Sequence, residues 1–391
     1  MTGVWTPGRL RRLMAAGWID SICLSFAWTL ILLEIVDRYG LRAAGLAGAA
    51  MLVGVALSAP VATALAGWLC GRRLLRAAAG AEAVLRVGVF ALLLLDVGMW
   101  SLALCIAVMN ITAWTGYAGM RAEVASVAPG PTALTWYGTG VAAVEALGAA
   151  AAALVPAKLV QGPSLALLCI VVGYVLALLP TVLVAGGSTI RAAPRPTPGA
   201  QRARPSLPIV AGVVLMSVAS APTLLTVALA AELHGRSAVA PAAIAFTIGS
   251  LSAPYLSDLV QRRAANGPVA WVLCAAGMVL LWPFAPLSVA VLCAAQLCSG
   301  LFMTTLEGLL DSTTAAEARG SVTGALARGT AGRALGSAAG TGALPLGIVT
   351  VGLSAVTGTL AVGLLAVGVA VAGRSFLGTR GLPAPAAPPL G

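Results

Sequence analysis

Charge is scarce in this chain. Only 9% of its 391 residues are Asp, Glu, Lys or Arg, against roughly 25% in a soluble domain. The one lysine, Lys158, lies in the sequence Pro-Ala-Lys-Leu, so the Gly-Lys-Ser/Thr loop that cradles nucleotide phosphates is missing. No catalytic grouping of side chains is evident in the sequence. We therefore expect a protein that is neither an ATPase nor any other enzyme and that uses no cofactor.

Metal-binding and disulfide patterns are lacking as well. The single histidine is His234, and no CxxC pair or Cys/His cluster occurs. The seven cysteines are scattered through apolar segments, where we interpret them as small buried apolar residues rather than as disulfides or metal ligands. They are Cys23, Cys70, Cys105, Cys169, Cys274, Cys293 and Cys298.

Apolar residues dominate what remains. The chain is 60% hydrophobic, and its mean hydropathy is +0.99. Apolar runs of about 20 residues recur, which is long enough for a helix to cross about 30 Å of hydrocarbon. This pattern predicts an all-α polytopic membrane protein with twelve transmembrane helices, arranged as two pseudo-symmetric six-helix bundles. The predicted spans are 14–36, 43–67, 80–97, 99–120, 132–155, 163–186, 208–231, 238–258, 268–285, 287–309, 321–344 and 347–373.

The twelve spans divide into six and six around a polar segment. Residues 187–207 are rich in proline and contain four arginines, which predicts a linker. We expect an N-terminal bundle at 1–186, a basic cytoplasmic linker at 187–207, a C-terminal bundle at 208–380 and a disordered tail at 381–391.

The basic residues predict the orientation in the membrane. With the N-terminus inside, 17 basic residues fall in inside loops or at inside helix ends, and only four lie outside: Arg38, Arg42, Lys158 and Arg236. This asymmetry favours cytoplasmic N and C termini. It also explains the net charge of +11 without a nucleic-acid partner. The Arg-, Ala- and Gly-rich composition suggests a bacterial inner (cytoplasmic) membrane, and we expect a monomer in the lipid bilayer.

One loop sequence occurs twice, and its two copies are 187 residues apart. The first copy runs from Gly67 to Arg76 and the second from Pro254 to Arg263, and each lies between the second and third spans of its half. A membrane chain duplicated in this way is typical of transporters built from two parallel repeats.

These loops resemble the G-x-L-x-D-R-x-G-R-R motif of the major facilitator superfamily. The first copy has Gly71 in place of the acid, so the two halves have diverged. The opening Gly17-Trp-Ile-Asp20 is similar to that of drug- and siderophore-exporter branches of the family. The resemblance implies a cytoplasmic latch that forms in one conformational state, and here it would rest mainly on Asp258. The latch residues it implies are Gly67, Arg72, Arg76, Asp258, Arg262 and Arg263.

A second internal match supports the duplication. Glu145-Ala-Leu-Gly148 in the fifth span aligns with Arg333-Ala-Leu-Gly336 in the eleventh, 188 residues later. The two charged residues have opposite signs, and both are predicted to lie near the middle of the membrane.

Carboxyl groups inside the membrane are costly and are default candidates for function. Asp20 and Glu145 are our candidates for proton coupling, because a carboxyl group in a low-dielectric site can bind and release a proton. Arg333 and Arg328 are the candidate charge partners. The alternative is that the acids form permanent ion pairs that hold helices together. The arginine that many proton-driven drug exporters carry in helix 4 is absent near Thr112.

The resemblance also implies that helices 1, 4, 7 and 10 line a central cavity. Their side chains offer a mildly polar, aromatic lining, which suits a small amphipathic or cationic organic molecule. Alternatively, these residues only pack helices together. The candidate substrate residues are Trp28, Ser25, Asn110, Trp114, Tyr117, Thr223 and Gln296.

The leading interpretation is a secondary active transporter that works by alternating access and exports small organic molecules in exchange for protons. Two alternatives remain open. One is an importer or facilitator of a small metabolite or siderophore, and the other is a membrane scaffold or sensor that has lost transport.

Overall fold

A computed structural model describes residues 7–128, 131–156, 163–188, 190–192, 206–262, 267–317 and 322–379. These residues form helices and connecting turns, with no β-strand among them. Most of the predicted linker and all of the predicted tail at 381–391 lie outside this description. The helices are α1 (Pro7–Ala66), α2 (Gly71–Leu94), α3 (Met99–Val127), α4 (Pro131–Ala153), α5 (Leu165–Leu176), α6 (Leu179–Ala185), α7 (Leu207–Ala219), α8 (Ala221–Leu224), α9 (Thr226–His234), α10 (Val239–Arg262), α11 (Gly267–Val279), α12 (Val289–Glu317), α13 (Val322–Val351) and α14 (Leu353–Thr379).

The protein is an all-α polytopic membrane protein. Nine helical segments within the described residues are long and apolar enough to cross a membrane. One of them is α1, whose 60 residues are interrupted at Gly40 (φ 74°, ψ −177°). A positive φ of this size is available to glycine at little steric cost, so the chain turns there between its first and second crossings. The loop predicted at 37–42 is therefore a break at one glycine between two helices.

The seventh span is also interrupted. It consists of α7, α8 and α9, with breaks at Ser220 and Leu225. Pro222 lies in the first turn of α8, where the missing amide hydrogen costs little but the preceding helix cannot continue unchanged. The Ser220 hydroxyl donates to the Met216 carbonyl oxygen at 2.6 Å and contacts the Ser337 hydroxyl at 2.9 Å, so the break is held by side chains.

Glycines let helices of the two halves pack in the same way. A Cβ atom on Gly148 of α4 would collide with the Ile22 carbonyl oxygen of α1, and one on Gly336 of α13 would collide with the Val213 carbonyl oxygen of α7. Close backbone approach of this kind is a common way for membrane helices to associate. The repeated tetrapeptides that end at Gly148 and Gly336 thus make equivalent contacts.

The halves before residue 188 and after residue 206 meet at one end of the molecule. We call the end at which α1 begins the proximal end, and the end containing Gly40 the distal end. At the distal end one apolar core contains residues of both halves, such as Leu33 and Leu229, and Arg236 forms an ion pair with Asp37. A Cβ atom on Gly45 would lie 3.0 Å from the Thr341 carbonyl oxygen. The distal end is therefore closed.

The proximal end is built differently. One apolar core there, around Leu75 and Tyr137, consists only of residues from the N-terminal half. Another, around Met216 and Leu306, consists only of residues from the C-terminal half. The two halves hold separate cores at this end, in contrast to the shared distal core.

Candidate functional site

A buried arginine on α2 organises the polar interior of the N-terminal half. The side chain of Arg86 is fully buried, and its Nη2 donates to the Asp20 Oδ1 atom at 2.6 Å. Its Nε donates to the Glu82 Oε1 atom at 2.9 Å, and its Nη1 donates to the Tyr174 carbonyl oxygen. The guanidinium also lies 4.1 Å from the centre of the Tyr174 ring. Arg86 thus connects α1, α2 and α5.

The charges of this cluster do not balance. Two carboxylates face one guanidinium, so one negative charge is left over if both acids are ionised. Removing charges from water is expensive unless they are paired. The two acids differ in access: the Glu82 side chain is 3% exposed, whereas that of Asp20 is 25% exposed. Asp20 is therefore the more accessible of the two acids.

A small cavity adjoins Asp20 and Glu82. Its volume is about 20 Å³, and Tyr117 and Tyr137 also line it. This volume is enough for about one water molecule, provided that polar partners surround it. Tyr137 reaches the site because Gly17 leaves room on α1: a Cβ atom there would collide with the Tyr137 ring and hydroxyl.

Glu145 of α4 stands beside this cluster. Its carboxyl group interacts electrostatically with Asp20, Tyr117 and Tyr137. It forms no ion pair with any residue that the structure describes. The Ser25 hydroxyl donates to the Glu145 backbone carbonyl oxygen at 2.7 Å, which joins α4 to α1 at this level. The structure thus places the two predicted coupling acids close enough to interact electrostatically.

Aromatic rings continue from the cavity. Tyr137 stacks on Tyr117 with ring centres 5.8 Å apart, and Tyr117 meets Trp114 edge to face at 5.3 Å. The exposed side chain of Arg121 places its guanidinium 5.9 Å from the Tyr117 ring centre. Trp114 is 37% exposed, so this aromatic row reaches an accessible surface.

Several predicted substrate residues are enclosed in this conformation. Asn110 donates to the Ile106 carbonyl oxygen at 2.9 Å, and Gln296 donates to the Thr226 hydroxyl. Asn110, Gln296 and Thr223 are each buried, and Trp28 packs against the shared distal core. Of the predicted set, Tyr117 lines the cavity beside Asp20, the exposed Trp114 packs against Tyr117, and Ser25 binds the backbone of Glu145.

The charge partners differ from those predicted. Arg333 donates through Nη1 to the Asp311 Oδ1 atom at 2.7 Å, and not to Asp20 or Glu145. Helix α13 packs against α1 as well as against α7 and α12, but its contacts with α1 include Gly45 and Val55 of the second crossing, whereas Asp20 lies in the first. Arg328 is exposed. Sequence reasoning did not single out Arg86 and Glu82 as the partners of Asp20. The signal was present, since both charged residues lie within the predicted apolar span 80–97 and are four positions apart, on one face of a helix.

The predicted latch residues that the structure describes lie at the proximal end. Gly67 precedes α2, and the side chains of Arg72 and Arg76 are exposed. Asp258 is exposed near the end of α10, whereas the side chain of Arg262 and the whole of Arg263 lie outside the description.

The space above Gly71, where the motif has an acid, is occupied. A Cβ atom on Gly71 would meet the Ser188 hydroxyl and would lie 2.8 Å from the Glu123 Oε1 atom. The buried Glu123 binds Arg9 at 2.7 Å and accepts a hydrogen bond from Ser188. The Gly71 amide donates to the Ile190 carbonyl oxygen at 3.0 Å, so the chain after α6 folds back over the start of α2.

No group of three or more potential metal-ligating side chains occurs within the described part of the chain. The seven cysteines are all free thiols there.

No protein-family model matches the chain, and no curated protein matches its sequence. Solved structures do resemble it. Tetrameric PepTSo2 matches with a TM-score of 0.71 and 13% identity, over 95% of this chain and 98% of that chain. The nucleoside transporter NupG matches with a TM-score of 0.66 and 12% identity, over 93% and 98%. A D-xylose–proton symporter matches with a TM-score of 0.65 and 13% identity, over 90% and 96%. The chain therefore has the fold of major facilitator transporters.

Proposed function

We propose that the protein is a secondary active transporter that couples proton movement to the passage of a small organic molecule by alternating access. The observation that carries this proposal is the Asp20–Arg86–Glu82 cluster, in which one buried guanidinium serves two carboxylates. A cluster with a surplus negative charge can take up a proton without leaving a charge unpaired. Buried carboxylates of this kind mark proton relays in membrane transporters.

Protonation of Asp20 would loosen the link between α1 and α2. The carboxylate of Asp20 shares the Nη2 atom of Arg86 with Glu82. Glu82 also accepts from the Nε atom, and the Tyr174 carbonyl oxygen accepts from Nη1. A neutral Asp20 attracts Arg86 less strongly, and Arg86 keeps its remaining partners. The N-terminal half can then repack α1, which also contributes to the distal contact with the C-terminal half through Asp37.

The finer assignment is the export of amphipathic or cationic molecules. The aromatic row of Trp114, Tyr117 and Tyr137 next to Asp20 and Glu145 provides ring faces and negative charge, the combination that attracts organic cations. The direction rests on the resemblance of the opening helix to exporter branches. Import of a small metabolite is the second candidate, favoured by the structural likeness to a D-xylose–proton symporter.

The placement in the membrane belongs to the same proposal. We infer six-helix bundles at 1–186 and 208–380, a cytoplasmic linker at 187–207, and a monomer in a bacterial inner membrane with both termini inside. The proximal end then faces the cytoplasm, and we infer that the conformation is open on that side, because the apolar cores of the two halves are separate there. The proximal arginines and Asp258 form the candidate latch.

Transport in proteoliposomes tests the function. Purified protein is reconstituted, a pH gradient is imposed, and a panel of cationic, anionic and neutral compounds is followed across the membrane. We expect gradient-dependent movement of at least one compound, lost in Asp20→Asn and reduced in Glu145→Gln. Glu232→Gln, an exposed acid at the distal end, is the control and should transport normally. The proposal fails if no compound moves with the gradient, or if both acid variants remain fully coupled.

A further inference from the structure

A carboxylate lies beside Gly71, the position at which the first copy of the repeated loop lacks its acid. A Cβ atom on Gly71 would lie 2.8 Å from the Glu123 Oε1 atom. The carboxyl carbon of an aspartate is one bond beyond its Cβ atom, so an aspartate at this position would direct its carboxylate into the same space. Glu123, near the end of α3, therefore places a carboxylate where the sequence of the loop provides none.

The start of α2 has no counter-charge of its own. Cys70, the residue before the helix, makes no capping hydrogen bond with its side chain, and the first turn contains no acid. That turn contains Arg72 and Arg73 instead. The positive end of a helix dipole favours a nearby carboxylate and disfavours arginines. The buried carboxylate of Glu123, whose side chain is 1% exposed, supplies the missing negative charge from another helix.

Glu123 also holds two other segments of the chain at this place. Arg9, near the beginning of α1, donates to its Oε2 atom at 2.7 Å, and Ser188, beyond α6, donates to its Oε1 atom. The Gly71 amide donates to the Ile190 carbonyl oxygen at 3.0 Å. The beginning of α1 and the chain after α6 are thus both joined to the start of α2, with one carboxylate between them.

An arginine of the loop lies against the same segment. A Cβ atom on Gly186 would be 3.7 Å from the Nη2 atom of Arg76, so the guanidinium of Arg76 lies beside the chain that follows α6. Glu123 anchors this chain through Ser188. The surroundings of Arg76, one of the predicted latch residues, therefore depend on Glu123.

We propose that Glu123 replaces, from α3, the acid that the first loop lacks at Gly71, and that it fixes the position of this loop by binding Arg9 and Ser188. The inference deepens the candidate latch and rests on the proposed transport function for the purpose of that latch. Each of the two loops then has an acid. The second loop contains its own, Asp258, whereas the first receives one from a neighbouring helix.

Hydrogen exchange of the full chain in lipid nanodiscs, measured by mass spectrometry, tests the proposal. Glu123→Ala should speed exchange at the start of α2 by about tenfold or more, because Arg9 and Ser188 lose their acceptor and the contact with Ile190 loosens. Adding Gly71→Asp to Glu123→Ala should recover most of the protection, since the new carboxylate enters the vacated space. Adding Gly71→Asn fills the same space without charge and should recover little. Exchange in α12, in the other half, should not change.

Two results overturn the proposal: unchanged exchange at the start of α2 in Glu123→Ala, or no better recovery with Gly71→Asp than with Gly71→Asn. If Glu123→Ala does not fold, the yield of folded protein replaces exchange as the readout, and the same contrast between the two double variants decides. Glu123→Gln keeps the space filled, so Gly71→Asp should give no recovery in that background, and a recovery there would also overturn the proposal. The measurement uses neither substrate nor gradient, so its failure leaves the proposed transport standing, and a failure of transport leaves its result unchanged.

Discussion

At the scale of single residues, the proposed mechanism depends more on Arg86 than on any other side chain. It is fully buried and has partners on α1, α2 and α5. A buried ion pair adds little net stability compared with apolar packing, but the loss of one partner leaves the others uncompensated. Arg86 therefore matters most through the two carboxylates that it keeps neutralised.

Replacement of Arg86 by Met should destabilise the protein by about 3–5 kcal/mol, because Asp20 and Glu82 would be left without their cation. Arg86→Lys should be milder, since it keeps the charge but cannot serve all three partners at once. Thermal unfolding in detergent measures both. Arg328→Met, at an exposed arginine of α13, should unfold with the wild type. Equal unfolding temperatures for Arg86→Met and Arg328→Met would contradict the role of Arg86.

Sequence analysis identified one of the three members of this cluster. Asp20 stood out as an acid in an apolar span, and the same reasoning applied to Glu82 and Arg86 would have found the other members. The pairing was not predictable, because it depends on how α1, α2 and α13 pack. Arg333 was interpreted as a partner for the coupling acids, and the packing of α13 against α12 gives it Asp311 instead.

At the scale of helices and loops, small residues decide which surfaces meet. The hydropathy pattern correctly predicted an all-α polytopic membrane protein, since length and apolarity are properties of one helix at a time. It did not predict that the first two crossings form nearly continuous helix around Gly40, nor that the seventh is interrupted near Pro222. Those features depend on backbone angles and on contacts with neighbouring helices. A hydropathy average over a sequence window carries no information about either.

The loop before α2 is a second feature that the sequence pattern did not predict correctly. From the sequence alone, Gly71 is interpreted as a position at which the acidic residue of the motif has been lost. In the structure, Ser188 and Glu123 fill the space above it, and Ile190 accepts the hydrogen bond of its amide. Glycine at this position allows the chain after α6 to pack across the N-terminal half.

Restoration of the motif acid by Gly71→Asp should therefore harm the protein. The new side chain would displace Ser188 and bring a second carboxylate close to the buried Glu123, and we expect a loss of about 1–3 kcal/mol in stability. Gly67→Asp adds the same charge to the same loop at a position with more room and is the matched control. Thermal unfolding compares the two. If Gly71→Asp unfolded at or above the wild-type temperature, the packing around Gly71 would not require glycine, and this explanation for the missing motif acid would be wrong.

At the scale of the whole molecule, the largest apolar core that the two halves share among the described residues lies at one end. The distal end has a shared apolar core and the Asp37–Arg236 ion pair, while the proximal end has separate cores. Packed interfaces of this kind switch between discrete arrangements instead of deforming gradually. The central claim is that the halves exchange between this arrangement and its opposite, and that the charge on Asp20 biases the exchange.

Pairs of spin labels on a cysteine-free background test this claim directly. One pair replaces exposed Arg73 and Glu317 at the proximal end, and the other replaces exposed Leu95 and Leu287 at the distal end. Electron–electron distance measurements in nanodiscs should give two populations for each pair. A lower pH, or Asp20→Asn, should shift them in opposite directions at the two ends. A single distance at both ends, unchanged by pH and by Asp20→Asn, would contradict the account.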